Sequence, residues 1–189
     1  MDEKAVPSLA KIHVASSHLR SNSLPITPIL TNRSLNQLTG KNVFLKCENL
    51  QQTGSFQSRG TLNLILNAMK IDPNIKGFVS YSSNDNHAIA VAYASALVNR
   101  PCFIVIPTNT SKSIIDSIEL YGATVVQSES MILTANELCE KNDYYLIPSS
   151  HHPDIIAGKK KSILFSTQKQ TEQLTCCLSR LRDNCCRIT

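Results

Sequence analysis

From residue 77 onward the chain alternates between short runs rich in β-branched and aliphatic residues and longer segments of helical periodicity. The spacing predicts strand 78–81, helix 86–98, strand 102–106, helix 111–121, strand 124–127, helix 131–141 and strand 144–147. A helix between successive strands carries the chain back to the end from which it started, so neighbouring strands run parallel. Such crossovers cover the sheet with helices, and the expected fold class is α/β with a doubly wound parallel sheet. The punctuation agrees. Ser111 stands where an N-cap would precede a helix bearing Ile114, Ile115 and Ile118, and Gly122 stands where a helix end needs a left-handed residue.

The flanking segments are less regular. Leu9, Ile12 and Leu19 fall at near-helical spacing, Leu24-Pro25-Ile26-Thr27-Pro28 forces an extended connection, and a short helix should end at Gly40. Val43 to Cys47 alternates like a strand, and Leu62, Ile65, Leu66 and Met69 define one face of a helix. Turn-rich Asp72-Pro73-Asn74 and Pro148-Ser149-Ser150 bracket the regular unit, which divides the chain at 1–76, 77–148 and 149–189. In the last part Leu174, Leu178 and Leu181 fit one face of a helix.

With 189 residues, 42% of them hydrophobic, there is enough apolar surface for a real core. No stretch approaches the roughly 18 apolar residues that span a bilayer, and the start Met1-Asp2-Glu3-Lys4 carries no apolar leader, so no membrane partner and a cytosolic, cytoplasmic location are expected. Cys47, Cys102 and Cys139 lie in apolar periodic segments, where a thiol behaves as a small hydrophobe. Residues 1–158 balance 12 basic against 12 acidic side chains, whereas 159–189 carry 7 and 2, so the net charge of +5 resides in the tail. That tail could meet nucleic acid or anionic lipid. A solvated basic end is the simpler reading, and no nucleic-acid motif accompanies it. Cys176-Cys177 and Cys185-Cys186 are adjacent pairs rather than the gapped pairs that chelate zinc, and no histidine lies near them, so no metal is expected.

Two polar loops join a strand to a helix. Thr53 to Gly60 places small polar groups at one helix start, and Ser82 to His87 does so at another. Backbone amides at helix starts can hold an anion, and ligands of open α/β sheets gather at the carboxyl ends of strands. Taken alone, both loops read better as ordinary capped connections than as ligand sites.

The motifs carry a resemblance. Leu35 to Gly40, Phe44 to Glu48, Thr53-Gly54-Ser55-Phe56, Arg59-Gly60, Ser82-Ser83, Asn86-His87, Tyr121-Gly122-Ala123 and Ile155 to Gly158 resemble the first half of serine racemases and serine/threonine dehydratases, fold-type II pyridoxal-phosphate (PLP) enzymes. The resemblance covers about 20–158, and residues 159–189 are expected to fall outside it. It implies a tryptophan-synthase-β-like fold in which 77–148 is the small α/β domain and 1–76, with the start of a return after 149, is an incomplete large domain. On that view strand 43–47 should have an unpaired edge, and Leu62, Ile65 and Leu66 should lack packing partners.

The resemblance also implies the site. The family's Ser-Phe-Lys-x-Arg-Gly lysine, which holds the cofactor and moves the substrate proton, corresponds to Gln57. An amide nitrogen is neither nucleophile nor base near neutral pH. Lys46 and Lys70 sit on other elements with no reason to point inward. The family's Ser-Ser-Gly-Asn-His-Gly reads Ser82-Ser83-Asn84-Asp85-Asn86-His87-Ala88, one residue longer and without its glycines. Ser83 takes the place of the racemase acid/base, and Asn86 and Ser55 take cofactor contacts, while His87 reads as a buried helix-start residue. The six glycines, at 40, 54, 60, 77, 122 and 158, form no adjacent run of the kind that cradles a phosphate. The implied protein is a non-catalytic relative, without productive cofactor, that partners a small amino acid, a nucleotide or a full-length relative. Gln52, in place of a basic residue, weakens the nucleotide expectation. The competing reading is a working PLP racemase or ammonia-lyase.

Overall fold

The computed structural model describes residues 7–21, 24–148, 152–164 and 173–177. The predicted alternation is present almost residue for residue. Strands β3 (Phe78–Tyr81), β4 (Cys102–Ile106), β5 (Thr124–Gln127) and β6 (Tyr145–Ile147) alternate with helices α4 (Asp85–Leu97), α5 (Lys112–Glu119) and α6 (Met131–Asn142). The strands pair in the order β5-β4-β3-β6, all parallel. The side-chain period of two sends Phe78, Ile104 and Ile106 into the core under α4 and α5, and Val79 and Val105 to the opposite face, where they meet Ala135 and Leu138 of α6. Helices on both faces make the sheet doubly wound. The chain steps outward from β3 to β4 and β5, then returns to the other side of β3 as β6, so the topological switch lies beside β3.

Gly40 and Gly122 both take left-handed φ, at 66° and 78°, and close their helices as expected. Ser111 stands at the N-cap of α5 in extended conformation, but its hydroxyl makes no bond to the helix amides. It pairs instead with Ser113 Oγ at 3.3 Å, a neighbour that competes for the same hydroxyl.

A second sheet combines β1 (Ile29–Thr31), β2 (Asn42–Lys46) and β7 (Gln173–Cys177) in the order β1-β2-β7. Two expectations fall here. The strand around 43–47 has no unpaired edge, because β1 covers one side antiparallel and β7 the other in parallel. The segment of Leu174 is a strand rather than a helix, since a waiting backbone ladder outweighs three leucines at helical spacing. Leu178, Leu181, Cys185 and Cys186 lie outside the described residues.

The remaining helices are α1 (Leu9–Ser21), α2 (Arg33–Thr39), α3 (Gln57–Ile71) and α7 (Pro153–Leu164). Helix α3 packs against α7, α4 and α1. The expectation that its apolar face lacks partners is therefore overturned. Leu62 and Ile65 are completely buried, Leu66 packs beside them, and the core they share runs on through Phe78, Ile104, Ile147 and Ile155. Close approach of α3 to α7 is what makes this possible. A Cβ at Gly158 would lie 2.5 Å from the Arg59 carbonyl oxygen, and one at Gly60 would lie 2.7 Å from that of Ile155.

Cys47, Cys102 and Cys139 carry free thiols; Cys47 and Cys102 are buried as core residues, with burial pushing Cys102 up to about 12, whereas Cys139 is half-buried against the Val79 and Val105 cluster. Among the described residues no cluster of metal-ligating side chains occurs and no helix is long and apolar enough to cross a membrane.

Candidate functional site

Both polar loops end at the carboxyl edge of β3, and the structure joins them. After β3 the chain turns at Ser82, whose Oγ accepts from the Asn84 amide at 3.0 Å and donates to the Asn84 carbonyl at 3.1 Å. Asn84, within the lengthened loop, is the N-cap of α4, and its Oδ1 accepts from the His87 amide at 3.1 Å. At the start of α3, Ser55 Oγ accepts from the Gln57 amide at 3.1 Å, and Ser58 Oγ donates to the Ser55 carbonyl at 3.1 Å. The loops meet where Gln57 Nε2 donates to Asn84 Oδ1 at 3.3 Å. One carboxamide thus caps a helix and anchors the side chain at position 57.

A cavity of about 270 Å³ opens at this junction, lined by Gln57, Tyr81, Ser82, Ser83, Asn84, His87, Met131 and Lys159. Of the residues singled out from sequence, Gln57 and Ser83 are brought together here. Ser55 is buried beneath the loop as a backbone anchor, and Asn86 is buried on α4 without lining the cavity. Lys46 and Lys70 do stay away: Lys46 is buried in an ionic network described below, and Lys70 is exposed near the end of α3.

Two lining residues acquire a meaning that sequence reasoning missed. Lys159 begins the segment whose composition reads as a solvated basic tail, yet α7 extends through it and holds its Nζ 5.6 Å from the centroid of the Phe56 ring. The signal that could have found it is Gly158, a residue whose missing Cβ lets α7 lie against α3. His87 is a buried helix-start residue as expected, but it also lines the cavity. Burial, with the nearby Lys159 charge adding to it, lowers its pKa to about 4, so the ring is neutral near pH 7. Ser80 Oγ gives its proton to the Ile147 carbonyl at 3.1 Å, so at the 3.5 Å contact it can only accept from His87 Nε2. Nδ1 therefore keeps its lone pair, and it has no hydrogen-bond partner among the described residues.

The site rests on a buried ionic network. Glu48 accepts from Arg59 Nε at 2.8 Å and from the Arg59 terminal nitrogen at 2.9 Å, from Thr27 at 2.8 Å and from Gln51 at 3.1 Å. Lys46 Nζ lies 3.8 Å from it and donates to the Thr27 carbonyl at 2.6 Å. Burial alone would raise the Glu48 pKa, but hydrogen bonds and charge from Arg59, with help from Thr27 and Lys46, hold it below the usual range. Arg59 is two residues beyond Gln57, so the network pins the first turn of α3.

A second cavity, of about 310 Å³, is formed by Asn49, Gln51, Gln52, Thr53, Gly54, Ile89, Ser117, Leu120 and Tyr121, with the Tyr121 hydroxyl donating to the Gln52 carbonyl at 3.0 Å. Among the described residues no charged side chain lines it.

The sequence profile described as pyridoxal-phosphate dependent enzyme matches residues 21–179. That match passes residue 158 and includes β7, so the family likeness extends further into the tail than the motifs indicated. L-threo-3-hydroxyaspartate ammonia-lyase of Pseudomonas sp is 41% identical over 137 residues, which are 70% of this chain and 42% of the relative. Serine racemase of Homo sapiens is 37% identical over 160 residues, 80% of this chain and 46% of the relative. The crystal structure of serine racemase from Dictyostelium discoideum superposes with a TM-score of 0.78 at 32% identity, covering 87% of this chain and 55% of that one. The chain thus spans about half the length of the curated relatives it matches. With the profile covering most of its length and the parallel sheet superposing on that structure, the chain belongs to the fold-type II family of pyridoxal-phosphate dependent enzymes.

Proposed function

We propose that this chain is a serine racemase- and dehydratase-like protein that does not carry out the family's chemistry, and that it instead binds a small amino acid at the cavity beside β3. The observation that carries the reading is the amide of Gln57. By the resemblance it stands where the family's cofactor-holding lysine belongs, and its Nε2 is engaged with Asn84 Oδ1. PLP supplies an electron sink to the enzymes that hold it. The residues at position 57 and in the lengthened loop do not fit a covalently held PLP. An amide cannot condense with its aldehyde, Asn86 does not reach the cavity, and no two glycines are adjacent to form a phosphate cradle. Among the described residues the second cavity likewise offers no cation to a nucleotide phosphate. A full-length relative remains the proposed protein partner, supported by the exposed edge strand β1 with Ile29 and Leu30 at its surface.

The absorption spectrum of the purified chain, recorded with and without added PLP, tests the reading. The expected outcome is no stoichiometric cofactor band, and no serine-dependent pyruvate from the Gln57→Lys variant. One observation favours the second reading, a working PLP ammonia-lyase or racemase: Lys159 brings an amine into the same cavity. A one-to-one band that disappears in Lys159→Met, together with pyruvate formation, would establish that reading and overturn the first.

A further inference from the structure

We infer that a cavity between α1, α3 and α7, separate from the one beside β3, is a site for an aliphatic primary ammonium ion: its N–H groups donate to Asn63 Oδ1 and to the Asp154 carboxylate, while its alkyl stem lies along α1. The cavity measures about 270 Å³. Ala10, Val14 and Ala15 of α1 and Ala157 of α7 give it mostly apolar walls. Val14 remains 54% exposed, and an alkyl chain seated there would take that surface out of water.

Two acceptors without donors mark the polar end. Asn63, which lines the cavity at 1% exposure, donates from Nδ2 to the Asp154 carbonyl at 2.8 Å. A carbonyl can only accept, so the amide nitrogen is fixed there and Oδ1 is the opposite end of the group. That oxygen is buried and has no hydrogen-bond partner among the described residues, which costs free energy until something donates to it. The Asp154 carboxylate stands in the first turn of α7. His152 Nδ1 lies 3.8 Å from it, but that nitrogen accepts from the Asp154 amide at 3.2 Å and so carries no proton for the carboxylate. Lys11 lines the same cavity from α1 yet makes no ion pair with Asp154 among the described residues. A negative charge and a buried lone pair thus await donors beside an apolar wall. A carboxylate ligand would meet two acceptors, and an alcohol brings one donor for both. Water could serve both but would leave the apolar walls unfilled. An alkylammonium supplies the charge, the donors and the apolar stem together.

Isothermal titration of the full chain with n-butylamine near neutral pH, with n-butanol and butyrate as comparison probes, tests the assignment. Butylammonium should bind at one per chain, n-butanol at least about tenfold more weakly, the loss expected for one charge-assisted hydrogen bond, and butyrate more weakly still. Asp154→Asn should weaken butylammonium by about tenfold or more. Lys11→Met, which removes a like charge from the lining, should bind it at least as tightly as the parent, and Asp116→Asn, which removes a carboxylate outside the cavity, should change nothing. Circular dichroism of each variant separates lost binding from lost folding. The inference is overturned if the parent chain shows no saturable binding of butylamine, if n-butanol or butyrate binds as well, if Lys11→Met abolishes binding, or if folded Asp154→Asn binds like the parent. The site beside β3 contributes no residue to this cavity, so the reading of Gln57 stands or falls separately.

Discussion

Replacing Glu48 by Gln should be among the most damaging conservative changes in this chain. The carboxylate is completely buried, and its partners Lys46 and Arg59 have side chains only 4% and 3% exposed. Glutamine keeps the shape but removes the charge, leaving two buried cations without a counterion and turning one acceptor into a donor aimed at other donors. Breaking a buried pair from one side costs about 3–5 kcal/mol. Against a total stability of about 5–15 kcal/mol that is a large fraction. With a urea slope of about 2 kcal/mol/M, the unfolding midpoint should fall by about 2 M. Urea unfolding followed by far-UV circular dichroism measures it, with Asp116→Asn as the control. Asp116 pairs with Lys112 at 2.7 Å across an exposed helix face, and its loss should leave the midpoint unmoved. The same network gives an acid signature. Because the folded pKa of Glu48 lies below its unfolded value of 4.5, the stabilisation is complete above about pH 4.5 and disappears as pH falls through the folded value. A Glu48→Gln midpoint within about 0.5 M of the parent would refute the argument, since a slope of that size then leaves only about 1 kcal/mol for the network.

Two further outcomes follow from packing and from titration. Between 6.5, the ordinary value for His87, and its folded value of about 4, the unfolded chain binds a proton that the folded chain refuses, so stability should fall with pH across that window. The loss amounts to about 2 kcal/mol from pH 7 to pH 5, and His87→Asn should remove it; equal slopes for parent and variant would show that burial does not depress this histidine. Gly158→Ala should cost about 1–3 kcal/mol, because its Cβ meets only backbone of Arg59 and Gly60 and the helices must separate. A parental melting temperature for that variant would mean that α3 and α7 do not touch as described.

The parallel sheet was legible in the sequence because every element from 78 to 147 satisfies its own local rule. Apolar runs of strand length, helices long enough for a crossover and a glycine at the turn after α5 agree with one another, and the observed bounds differ by a residue or two at most helix ends. Ser111 shows the limit of that reasoning. Its position is right, but which neighbour takes a hydroxyl depends on a competing serine two residues away.

Sequence by itself determined that position 57 carries an amide and that the loop after β3 has an extra residue without glycine. Chemistry follows from residue type, and no fold can make a carboxamide into an amine. What only the tertiary structure decided is which residues share the cavity. Gln57 and Asn84 are 27 positions apart yet joined by a hydrogen bond, and Lys159 enters from a segment whose composition reads as a solvated tail. The burial of Leu62 and Ile65 and the pairing of β2 with β7 belong to the same class. Each depends on contacts between elements far apart in the chain, and hydrophobic burial and backbone pairing carry no local signature of the partner they will find.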